Sequence, residues 1–252
     1  LDQLSATHTY SDLLTDLGLG NKSFEEIQKR QASITGGIGA SFILLPGNEA
    51  ETKKMGLKIT SSSLEKNAEA MQELMMETVS NANFANPKRV KEIIEFRSAD
   101  AEKSLTQGGH SLAMSSAAAQ ISKRAATNEL TSGLTYVNSL KSLKDSVSDD
   151  ANLNRYIDSL INIQNKISST PMYSFTASSV EQKELNLGIP SFMSEMQFNN
   201  QVLAPTQQKE LGWITGSQVC FCAEAFPTVN GSHPDAPILS VLATVLRNGY
   251  LH

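Results

Sequence analysis

Three groups of residues in this sequence are of types that could do chemistry: four histidines, two cysteines and one glycine-rich run. The histidines are His8, His110, His233 and His252. None is expected to share a helix with a second His, Cys or carboxylate at zinc-ligand spacing, and neither His-Glu-x-x-His nor its inverse His-x-x-Glu-His occurs. His252 is the last residue, so a motif beginning there would continue outside the sequence. His110 follows two glycines at a helix entrance. It reads either as a ligand or substrate contact, the weak substrate-binding candidate of the chain, or as a helix-capping or buried hydrogen-bonding histidine, and the second reading is the stronger. His233 beside Pro234 reads as a turn residue. Cys220 and Cys222 fall at i and i+2 of one apolar run. In a strand they would share a face, poorly placed to pair, as small buried residues of a reducing compartment. Gly36-Gly37-Ile38-Gly39 lacks the Gly-Lys-Ser/Thr of a phosphate loop and leads into a strand, where glycines mark a bulge or close backbone approach. With no Gly-x-Ser-x-Gly elbow and no base placed beside a cysteine, nucleophilic catalysis has no support. No catalytic and no metal-binding residue is assigned, and the chain by its own chemistry should be inert.

The composition narrows the partners. The chain has 252 residues, 40% of them hydrophobic, and a formal net charge of -5. That is apolar enough for a core, and it offers no basic stripe for nucleic acid or an anionic membrane surface. No apolar run approaches the ~20 residues that a membrane span requires. The first residue is Leu and no signal-peptide pattern follows, so the natural N-terminus is expected to lie upstream.

The elements that must position these residues follow from periodicity. Leu4 to Leu17 reads as a helix closed by Gly18 and Gly20, and Ser23 caps a second helix over Phe24 to Arg30. Ile34 to Leu45 alternates as a strand, with Ile38, Ala40, Phe42 and Leu44 on one face. Met55, Leu57 and Ile59 alternate again, so Pro46-Gly47 opens a hairpin. From Ser63 the period is helical, with Leu64, Ala68, Met71, Met75 and Val79 on one face. Pro87 starts another helix carrying Val90, Ile93 and Ile94. After Gln107 to His110 comes an Ala- and Ser-rich helix from Ser111 to Glu129, then one through Leu134, Val137 and Leu140, with Gly133 at its entry. Asp149-Asp150 opens a strongly amphipathic helix that ends by Pro171. Met172 to Ala177 is a short strand candidate. Residues 181–208, rich in Gln, Asn, Ser and Pro, read as a linker. Gln218 to Phe226 is apolar on both faces except Glu224, which suits a strand covered on both sides. Ser232 or Asp235 then caps a helix that places Ile238, Leu239, Leu242, Val245 and Leu246 on one stripe. A strand–helix unit begun with no return strand reads as a cut. The fold class is α+β, a small mostly antiparallel sheet with helices packed on one face, truncated at both ends.

Several segments are familiar as a set. Ile27-Gln28-Lys29-Arg30-Gln31-Ala32-Ser33-Ile34-Thr35-Gly36-Gly37-Ile38 resembles a segment in the C-terminal half of the presequence-protease and falcilysin branch of the insulinase-like, pitrilysin-type metallopeptidases. So do Gly108-Gly109-His110-Ser111-Leu112-Ala113 and Gly133-Leu134-Thr135-Tyr136-Val137. The run Gln218 to Ala223 and the helix ending Leu246-Arg247-Asn248-Gly249-Tyr250-Leu251-His252 resemble the last domain of that family. The resemblance spans nearly the whole chain.

That resemblance implies an insulinase-like metallohydrolase fold of four related domains in two halves that close around unstructured peptides. Residues 1–180 would be most of the third domain without its first strand, 181–208 the linker, and 209–252 the opening of the fourth. Zinc would sit in the N-terminal half of the parent, on an inverted zincin motif, with no cofactor in this segment. The segment would be the non-catalytic wall of the substrate chamber of a zinc metalloendopeptidase. A structural or peptide-binding scaffold from a parent without an active zinc site is the alternative. The implied partners are the N-terminal catalytic half of the same polypeptide and unstructured peptides, with no nucleic acid and no membrane. Self-association through an uncovered apolar surface is expected, as is a reducing compartment, bacterial cytoplasm or organelle matrix. The family's substrate-contacting Arg and Tyr would fall beyond His252, so none is carried over.

Overall fold

A computed structural model describes residues 2–46, 53–170, 172, 175–178, 211–214, 216, 218–229, 231 and 233–249. The organising element is the first helix, α1 (Asp2–Leu14), because Tyr10, Leu13 and Leu14, with Leu17 just beyond it, recur at helical spacing and are all buried. Tyr10 stacks on Phe84 with ring centroids 5.2 Å apart. Gly20, which ends this region, has φ 55, a left-handed conformation that glycine adopts at little cost.

Helix α2 (Phe24–Ile34) is fixed at its start by a capping box. The Glu26 backbone N–H donates to Ser23 Oγ at 3.3 Å and the Ser23 N–H donates to Glu26 Oε2 at 2.7 Å. The hairpin follows: β1 (Ile38–Pro46) pairs antiparallel with β2 (Lys53–Ser61), in a register that sets Ala40 opposite Ile59 and Phe42 opposite Leu57. These four side chains pack on the helical core, so one sheet face is committed to the interior. The loop between the strands lies outside the described residues. A single 3-10 turn, Glu65–Asn67, leads into α3 (Ala68–Asn81). α4 (Pro87–Gln107) follows with Pro87 in its first turn and the Asn86 side chain accepting the Arg89 N–H at 3.1 Å. Val90, Ile93 and Ile94 of α4 join Leu153, Ile157 and Leu160 of α8 (Asp150–Ser168) in the same core. Among the described residues the sheet is two-stranded, and the architecture is α+β.

Several expectations are corrected. The Ala- and Ser-rich stretch is two helices, α5 (Gly109–Ala119) and α6 (Lys123–Ser132). Ser122 breaks it by accepting the Ala125 N–H at 3.4 Å, a local bond that competes with helix continuation. Leu64 precedes α3 and is exposed rather than part of its buried face. α7 (Leu134–Ser146) starts after Gly133 and α8 after the Asp149 cap, as the pattern predicts. Met172 and Phe175 to Ala177, the described part of the short strand candidate, form no strand, and Phe175 is exposed. Gln218 to Phe226 also forms no strand. A strand exists only with a neighbour for its N–H and C=O groups, and none pairs with it among the described residues. Consequently Cys220 and Cys222 are exposed, not buried, with sulfurs 3.9 Å apart. The last helix, α9 (Ala236–Gly249), forms as expected, starting where the Asp235 carbonyl accepts the Leu239 N–H at 2.9 Å. Its apolar stripe faces solvent, Ile238 being 67% and Val245 51% exposed, and Val241 beside the stripe is exposed as well. The linker 181–208, Pro171, Ser232 and Tyr250 to His252 lie outside the described residues. No helix among the described residues is long and apolar enough to cross a membrane.

Candidate functional site

Besides its buried leucines, α1 carries His8 and Asp12, and Asp16 follows in the turn just past its end. At i and i+4, His8 and Asp12 lie one above the other on the helix surface, and His8 Nδ1 is 3.4 Å from Asp12 Oδ2. The same carboxylate oxygen accepts the Tyr136 hydroxyl of α7 at 2.7 Å. The His8 and Tyr136 rings meet edge to face at 4.7 Å. Arg97 of α4 reaches the last two of these residues, donating through Nη2 to the Asp12 carbonyl at 3.3 Å and to Asp16 Oδ2 at 3.0 Å. α1, α4 and α7 are thus joined by one polar network centred on Asp12. Burial alone would raise the Asp12 carboxyl, but the adjacent His8 imidazole, the Tyr136 hydroxyl and the Arg97 guanidinium outweigh it and hold it below the ordinary carboxylate value. Burial, reinforced by the Asp12 charge, pushes the Tyr136 phenol above its ordinary value.

Beside the network a cleft of about 780 Å³ opens between α1, α7 and α8. Tyr136 and Tyr156 line it together with Asn138 of α7 and Asn162 of α8, and Lys166 and Trp213 also border it. Burial pushes the Tyr156 phenol upward too. The cleft offers hydrogen-bonding groups among apolar surfaces, an arrangement suited to holding a polar chain with apolar side groups.

The residues singled out by sequence are dispersed. His110 is exposed in the first turn of α5, its ring 6.3 Å from that of Phe221. The cap of that helix is Gly108, so His110 is neither capping nor buried. His233 is the turn residue expected, its Nδ1 accepting the Asp235 N–H at 3.2 Å. His252 lies outside the described residues. The glycine run lines a shallow groove of about 510 Å³, but two of its backbone donors are already used. The Gly36 N–H donates to the Ser62 carbonyl at 2.7 Å and the Gly37 N–H to Thr35 Oγ1 at 3.0 Å. A side chain on Gly36 would collide with Ser62, so close approach accounts for this glycine. The expectation that no histidine shares a helix with a carboxylate at ligand spacing fails at His8 and Asp12. The signal for that pair is the i, i+4 spacing in the first helix, although the Tyr136 hydroxyl occupies the same carboxylate oxygen. Among the described residues no group of three or more His, Cys, Asp or Glu side chains is placed to hold a metal ion.

The family model described as peptidase M-16C associated matches residues 1–143, more than half of the sequence and the whole of the Asp12 network. The chain belongs to this peptidase-associated family. It is similar to proteins named presequence protease, mitochondrial. The Schizosaccharomyces pombe protein is 24% identical over 254 residues, covering 96% of this chain and 25% of that protein. The Emericella nidulans protein is 26% identical over 259 residues, with 96% and 25% covered. The Saccharomyces cerevisiae protein is 24% identical over 262 residues, with 96% and 26% covered. The chain spans about a quarter of the length of the curated relatives it matches. Within this peptidase-associated chain the family match stops inside α7, so Tyr156 and Trp213 lie past it.

Proposed function

We propose that this chain is a non-catalytic part of the C-terminal half of a zinc metalloendopeptidase that degrades peptides and small unfolded proteins, and that it walls the chamber enclosing them. One observation carries the reading: nearly all of the chain aligns with a quarter of proteins named presequence proteases. In this reading residues 1–180 are the third of four related domains, 181–208 a linker and 209–252 the opening of the fourth. Zinc belongs to the N-terminal half of the same polypeptide, and the compartment is an organelle matrix, as the word mitochondrial in the relatives' names suggests. Enclosure then contributes by excluding water and confining the peptide, with bond chemistry left to the metal-bearing half. The apolar stripe of α9 is covered by the rest of the fourth domain in the parent, and the isolated chain self-associates through it.

The test is to incubate the chain with zinc and an unstructured peptide and follow cleavage by mass spectrometry. No cleavage is expected, and hydrolysis that a chelator abolishes would overturn the non-catalytic assignment. A parent whose N-terminal half lacks an inverted zincin motif would favour a scaffold or peptide-binding role instead.

A further inference from the structure

Trp213 is the single tryptophan of the chain. It belongs to residues 211–214, which have no regular structure, and it lines the cleft between α7 and α8 while remaining 41% exposed. The flanking apolar side chains do not follow it, Leu211 being 56% exposed and Ile214 wholly so. Successive side chains of an extended segment point to opposite sides, so Ile214 faces away and Trp213 is the apolar side chain that this segment sets against the cleft.

The rest of the cleft is shaped for the backbone of such a segment. Asn138, Ser142 and Ser146 follow one another along α7, and Ser159, Asn162 and Lys166 along α8. Residues four apart on a helix are about 6 Å apart along its axis. Same-side residues of an extended chain repeat at roughly 6.6 Å. Over three positions the two spacings stay within hydrogen-bonding tolerance, so the walls can serve successive amides of an extended peptide laid between the helices. We infer that this cleft is a groove for an extended peptide with an aromatic side chain, and that Trp213 is an internal occupant which such a peptide displaces. The occupant's class, an unstructured peptide, rests on the function proposed above. A tethered competitor acts at an effective concentration in the millimolar range, so it screens out weak ligands and yields to better ones.

The experiment uses the full chain and two labelled unstructured peptides free of Trp and Tyr, one with a single Phe and one with Ala in its place. Adding the Phe peptide shifts Trp213 emission to longer wavelength as the indole enters water, whereas the Ala peptide does so weakly or not at all. By fluorescence anisotropy, Trp213→Ala binds the Phe peptide more tightly, roughly tenfold if the cleft is otherwise free about a tenth of the time. Asn162→Ala binds it more weakly while retaining the helical circular dichroism of the parent chain. Emission that ignores the Phe peptide, or Trp213→Ala binding that is unchanged or weaker, overturns the proposal. Such a failure beside successful reconstitution of protease activity would remove the groove alone. Failed reconstitution beside the emission shift would remove the protease reading and leave the groove.

Discussion

Asp12 is the residue on which His8, Arg97 and Tyr136 converge, and its behaviour with pH is set by these groups and by burial. Its carboxyl titrates lower in the folded chain than in the unfolded one, so the stabilisation is present above the ordinary Asp value of about 3.9 and is lost as pH falls through the lower folded value. Thermal melts between about pH 2 and pH 6 should therefore show an acid limb that flattens in Asp12→Asn. Tyr136→Phe removes the 2.7 Å bond to a charged acceptor and should cost about 1.5–3 kcal/mol in urea unfolding. The raised phenols of Tyr10 and Tyr136 work in the opposite direction, giving stability that is present below about pH 10 and lost as pH rises through their higher folded values. Half of this site is legible in the sequence. His8 and Asp12 are one helical turn apart and can be paired on spacing alone, but Tyr136 reaches Asp12 across 124 positions. No local pattern encodes that contact. His110 stands out in the sequence because two glycines precede it; Gly109 in fact makes room for the Phe221 ring.

At the level of elements, caps and punctuation determine the boundaries. Ser23→Ala dismantles the capping box of α2 and should lower stability by about 1 kcal/mol. Gly133 separates α6 from α7, and a side chain there would strike the buried Glu129 carboxylate that accepts the Thr135 N–H at 3.1 Å. Gly133→Ala should accordingly cost about 1–3 kcal/mol, seen as a lowered melting temperature, while Gly20→Ala is disfavoured by its positive φ rather than by space. The amphipathic helices α4, α7 and α8 are legible in the sequence because a helix closes its own hydrogen bonds and needs only one apolar face. The hairpin is legible because its partner lies close in sequence. Gln218 to Phe226 misleads for the converse reason, since an apolar run specifies burial but not the neighbour that would turn it into a strand.

For the molecule as a whole, α9 presents its apolar stripe to water, and one such helix face is a route to association. Light scattering of the chain should show concentration-dependent oligomers that Val241→Glu reduces while leaving the α1-centred core intact. Composition and order of elements are enough to expect an α+β fold, because two alternating runs followed by helical ones leave few arrangements. The domain-level role is not readable from residue chemistry, because in the proposed reading the side chains that act on a substrate lie in other parts of the parent. The most direct test is reconstitution: a zinc-loaded N-terminal half of a presequence protease relative is mixed with the remainder of its C-terminal half and this chain, and cleavage of an unstructured peptide is followed. Cleavage that requires this chain and is lost to a chelator is the predicted result; equal cleavage with and without the chain would contradict its place in the chamber wall.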